Sequence, residues 1–95
     1  DQLLLIYVHG ESMVPTLNPG DVILMERYDA HRVSDGIYAL RMGNALLVKR
    51  LQFLPNGELL VTSDNEAYKP FQVKLKDGPE DIQIIGRVVW AGRRF

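Results

Sequence analysis

Short apolar or alternating segments recur along the chain, separated by Gly, Pro, Asn and Asp. "LLLIYV", residues 3–8, is a continuous apolar run and reads as a buried strand. "DVILMER" follows a Pro19-Gly20 turn. "GIYALRM" and "ALLVKRLQFL" flank Gly43-Asn44, a two-residue hairpin signal. Pro55-Asn56-Gly57 then separates the second of these from "ELLVTS", which predicts another hairpin. In "FQVKL", Phe71, Val73 and Leu75 alternate with Gln72 and Lys74, so one face is expected buried and the other wet. "DIQIIGRVVWAG" closes the chain. The one helical candidate is a turn near Ser12, where serine can cap and Pro15 fits a first turn. Strands at this spacing predict an all-β, mostly antiparallel domain of barrel-like or folded sheets.

Composition narrows the function classes. The 95 residues support one domain. Net charge is −1, which argues against nucleic-acid or membrane-surface binding by this segment itself. There is no cysteine, so there is no disulfide framework and no thiolate metal site. That fits a reducing, cytoplasmic setting. "LLLIYV" is too short to span a bilayer, and no basic segment precedes it as in a signal peptide. Because the chain begins abruptly in that run, an N-terminal portion is expected to be missing.

Two residues carry candidate chemistry. In "HGESMVPTLNPGD", residues 9–21, Ser12 lies between turn residues. A serine there is most often a cap or turn former. As a nucleophile it would need an exposed Oγ, a base, and backbone N–H donors for the oxyanion. In "ALLVKRLQFL", alternation puts Leu47, Lys49 and Leu51 on one face, and Leu46, Val48 and Arg50 on the other. The ordinary reading sets Lys49 at a sheet edge with its ammonium in water. The sharper reading points it into an apolar site, where desolvation disfavours the charge and leaves an amine able to act as general base. Ser-Lys dyads are a known variant of serine catalysis.

"ESMVPTLNPGD", "DGIYALR", "LLVKRLQ", "LLVTSDNEAY" and "IIGRVVW" stand in the order found in LexA-like proteins. The chain resembles that family from about His9 to Gly92. It comprises LexA, UmuD and lambda-type phage repressors, self-cleaving Ser-Lys proteases whose fold is shared with type I signal peptidases. The resemblance implies Ser12 as nucleophile, Lys49 as general base and the amides of Ser12 and Met13 as oxyanion donors. It implies that Met13, Pro15 and Leu17 shape and pack the nucleophile loop. Ser63-Asp64-Asn65 matches a motif near the active site, read first as a turn. The strand around Ile85 to Trp90 resembles the family's dimerisation segment. No cofactor or metal is implied.

The sequence departs from the family in places. Glu11 stands where Asp is frequent before the serine. Some members place a hydroxyl residue two positions before the lysine, where it can bond the amine; here Leu47 occupies that place. These proteins cut themselves at an Ala-Gly or Cys-Gly bond upstream of the serine, and no such dipeptide precedes Ser12. The DNA-binding domain and cleavage loop are therefore expected outside this chain. Other residues keep plain readings: His9 and His31 as strand-end or loop residues, Asp21, Asp35 and Asp64 as turn formers, Trp90 as core or interface, and Arg93-Arg94 as a solvated tail.

Three functions compete. The first is the catalytic and dimerisation domain of a repressor that cuts its own linker. Its implied partners are a second copy through the C-terminal strand, an activated recombinase filament, and operator DNA through the missing domain. The second is a catalytically silent dimerisation module bound by an antirepressor. The third is a type I signal peptidase core, which would need an upstream membrane anchor; "SDNEAYKP" fits the repressor pattern better.

Overall fold

The computed structural model describes residues 3–75 and 82–93. These residues form seven strands: β1 (Leu3–Tyr7), β2 (Val22–Arg27), β3 (Gly36–Met42), β4 (Ala45–Phe53), β5 (Glu58–Thr62), β6 (Phe71–Lys74) and β7 (Ile82–Gly92). They join in one sheet of order β1-β2-β7-β3-β4-β5-β6, and every pairing is antiparallel. The expected all-β class is what the chain adopts.

Both hairpins follow from their turn residues. Met42 pairs with Ala45 across Gly43-Asn44, and Gly43 takes φ +58, which glycine adopts without a Cβ clash. At the second, Asn56 and Gly57 both have positive φ, and the Leu54 amide donates to the Glu58 carbonyl at 2.9 Å. That closure fixes the β4–β5 register at Phe53↔Leu59 and Arg50↔Thr62.

Alternation places one hydrophobic cluster on each face. Tyr38, Leu40, Leu51, Leu59, Val61 and Ile84 make the first. Ile23 makes the second with Val8, Met13 and Leu17, which the segment between β1 and β2 lays over Ile37, Val48 and Val88. The loop carrying Ser12 is thus pinned to the sheet by its own apolar residues. Burying side chains of this size removes roughly 1.5–3 kcal/mol each of unfavourable hydration.

Four expectations change. β1 is a strand but not a buried one: it pairs only with β2 at the sheet edge, and Leu3, Leu4 and Leu5 are exposed. Around Ser12 no regular helix forms; two separate turn bonds, Val14 N–H to the Glu11 carbonyl at 3.2 Å and Leu17 N–H to the Met13 carbonyl at 2.8 Å, stand where the helical turn was expected. Met13 and Leu17 pack as expected, but Pro15 is exposed. Phe71 and Val73 turn inward, whereas Leu75 lies just beyond β6 and is exposed. His9, His31 and Arg93 are exposed, and Arg94 falls outside the described residues.

Candidate active site

Lys49 stands on β4, an interior strand with β3 on one side and β5 on the other. Tyr38 is its cross-strand partner on β3. The side chain is buried, at 8% exposure, so the sheet-edge reading does not hold. Desolvation by this burial holds the Lys49 amine below the ordinary lysine value. Lys49 Nζ donates to Ser63 Oγ at 2.7 Å and lies 5.1 Å from the centre of the Tyr68 ring. Ser63 is as buried as the lysine.

Ser12 is half-buried in the turn after Gly10, whose φ of +76 is in the left-handed region. Its carbonyl accepts from the Asn65 amide at 2.9 Å, and Asn65 Nδ2 donates to the Glu11 carbonyl at 2.9 Å. Among the described residues, the amides of Ser12 and Met13 donate no hydrogen bond, and no hydrogen bond joins Ser12 Oγ to Lys49 Nζ.

The turn Ser63-Asp64-Asn65 therefore lies between the two. Ser63 holds the lysine, Asn65 holds the backbone around Ser12, and Asp64 ties strand to loop. The Arg50 guanidinium grips Asp64 with two bonds of 2.8 Å, and the Thr16 hydroxyl donates to the same carboxylate. The Arg50 bond is the main reason the Asp64 carboxyl sits below its usual range. Asp64 is more than a turn former, whereas Asp21 plays the expected local part by accepting from the Asn18 amide. Asp35 reaches across to accept from the Phe53 amide.

Ser63 is the residue that sequence reasoning undervalued, and Tyr68 the one it passed over. The signal for Ser63 lay in the hairpin: continuing the β4–β5 register one step past Arg50↔Thr62 sets residue 63 opposite residue 49. The chemistry selects this region, not the size of a cavity. A cavity of about 280 Å³ lined by Glu26, Tyr28, Arg32 and Arg87 contains neither Ser12 nor Lys49.

Residues 1–89 match the Peptidase S24-like family. The chain belongs to that family. This Peptidase S24-like domain is 36% identical over 89 residues to the 26 kDa repressor protein of Escherichia phage HK022, covering 94% of this chain and 37% of that protein. It is 30% identical over 92 residues to an uncharacterized HTH-type transcriptional regulator of Haemophilus influenzae, covering 97% of this chain and 38% of that one. The domain thus spans less than two fifths of the length of these relatives. The likeness to phage-type repressors stands. Among the described residues, no helix is long and apolar enough to cross a membrane.

Proposed function

We propose that this is the self-cleaving and dimerising domain of a transcriptional repressor, with Ser12 as nucleophile and Lys49 as general base. The observation that carries the reading is a lysine buried in an interior strand and connected, through one three-residue turn, to the loop bearing Ser12. A lysine with an ordinary surface role has no reason to be desolvated there.

In this reading a peptide segment of the same protein lies against the Ser12 loop. Neutral Lys49 takes the Ser12 hydroxyl proton as Oγ bonds to the scissile carbonyl carbon. The carbonyl oxygen gains negative charge, and the amides of Ser12 and Met13, which have no partner among the described residues, would receive it. The peptide C–N bond then breaks, and the Lys49 ammonium returns the proton to the leaving amine. Water hydrolyses the resulting ester with Lys49 again accepting a proton. The missing Ser12–Lys49 bond is compatible with this sequence, because such contacts are often long until substrate is seated.

The relatives, a repressor and an HTH-type transcriptional regulator, favour a regulatory setting over a signal peptidase. Cleavage would part this domain from a DNA-binding one and remove the avidity that a linked dimer gains on paired half-sites. The dimer surface proposed here is the outer face of β1, β2 and β7. Leu5, Leu24 and Trp90 align there in one row, with Leu5 and Trp90 each 56% exposed. An activated recombinase filament as trigger fits the same reading. The second reading, a silent dimerisation module under antirepressor control, is favoured by the absent Ser12–Lys49 bond.

Ser12→Ala in the full-length protein separates the two. The proposed outcome is an intact fold and no self-cleavage; since Ser12 leaves the core untouched, the stability change should stay within ~2 kcal/mol. Cleavage at the parental rate would rule out Ser12 as nucleophile.

A further inference from the structure

We propose that Ser63 is the positioning residue for Lys49, supplying from the end of β5 the hydroxyl that β4 lacks at Leu47. The inference rests on reading Lys49 as the base. Residues 47 and 49 share a strand face, so a hydroxyl at 47 would stand beside the amine; leucine offers it no acceptor. The Ser63 Oγ is the oxygen that Nζ does bond, at 2.7 Å, and both side chains are buried at 8% exposure.

Among the described residues, no other side chain bonds the amine. Tyr38, opposite on β3, commits its hydroxyl to the Ser34 carbonyl at 2.6 Å. Tyr68 presents a ring. The nearby charges of Arg50 and Asp64 are paired with each other. Holding one N–H fixes rotation about Cε–Nζ, so the lone pair of the neutral amine has a defined direction. A hydroxyl that accepts also favours the ammonium over the amine, because charge-assisted bonds are the stronger ones. Ser63 therefore opposes part of the desolvation while it orients the base.

Two readouts test this: NMR titration of the Lys49 amine, and the pH–rate profile of self-cleavage in the full-length protein. Ser63→Ala should move the amine midpoint to lower pH by about one pH unit, as expected for losing a hydrogen bond to a charged group. Its plateau rate should fall about tenfold. Ser63→Thr should keep both, and Leu47→Thr added to Ser63→Ala should recover both. If Ser63→Ala does not fold, Ser63→Cys, a weak acceptor of similar size, carries the same expectations. A slower rate with an unmoved midpoint would mean that Ser63 merely holds the turn, and would overturn the inference. The amine titration needs no cleavage, so it stands apart from the base assignment: loss of cleavage in Ser12→Ala together with an unmoved midpoint in Ser63→Ala sinks this inference alone.

Discussion

At one end of the sheet, β4 and β5 bury a lysine and a serine; at the other, β1, β2 and β7 leave leucines and a tryptophan in the open. Each region reverses the usual distribution of polar and apolar side chains. In the first, the polar groups are hydrogen-bonded to one another and backed by Tyr38 and Leu51. In the second, strand pairing among the described residues satisfies the β1 backbone on one side only, and Leu5 and Trp90 each stay 56% exposed. Under the proposed function the contrast separates chemistry from assembly. A desolvated amine stores reactivity within the fold, whereas an uncovered apolar face acquires meaning only with a second surface.

The largest expected effect belongs to the first region. Lys49→Met removes the proposed base while keeping the volume, so self-cleavage should fall by about 10²–10⁴-fold. Stability should hold or rise, since an apolar isostere replaces a buried charge. The pH dependence fixes the sign. The folded amine titrates below the unfolded value of about 10.5, so between those two pH values the unfolded chain binds more protons and parental stability climbs with pH. Thermal melts should therefore show any advantage of Lys49→Met narrowing across that window. The cleavage rate should rise through the same lowered midpoint and level off. A rate that climbs only near pH 10.4, the ordinary lysine value, would return Lys49 to a plain structural role.

The second region should respond less strongly. Trp90→Ser should weaken self-association by roughly 30-fold, the loss expected for a central aromatic anchor, with little change in the monomer's melting temperature. Sedimentation equilibrium reads it. A parent that stays strictly monomeric at high micromolar concentration would remove assembly from the comparison altogether.

The smallest effect falls between the regions' characters, at an exposed ion pair serving a buried site. Arg50→Lys keeps the charge but loses the two-pronged grip on Asp64, so stability should drop by only ~1 kcal/mol or less. Cleavage should slow a few-fold, about the rate equivalent of that energy, because Asp64 also accepts from Thr16 in the Ser12 loop. The Asp64 carboxyl titrates below its unfolded value, so the ion pair's contribution is present above about pH 4 and fades as pH falls through the lowered value. An Arg50→Lys protein cleaving at the parental rate would show that the two-pronged grip on Asp64 is not needed to hold the loop.

Much of the β4–β5 end was legible in the sequence, and much of the β1 end was not. Gly43-Asn44 and Pro55-Asn56-Gly57 announce their hairpins because so few residues adopt the backbone they need. Alternation around Lys49 is read directly, and so is its unusual apolar company. The exposure of "LLLIYV" could not be read, since hydrophobicity states a preference for burial and not the presence of a cover. Ser63 was hidden differently. Its partner is fourteen residues away, and the pairing exists only once the hairpin register is counted through. Asp64 looked like a turn former by the same local logic, and its bonds to Arg50 and Thr16 are likewise long-range.

Ser63, Asp64 and Asn65 touch three different parts of the molecule through three consecutive residues: the lysine of β4, the arginine beside it, and the backbone of the Ser12 loop. The peptide planes between them are rigid, so only the soft dihedrals of a few residues separate the anchor on the lysine from the anchor on the serine loop. The two groups thus share one short support, and a substitution that displaces any of its three residues should be felt at both ends.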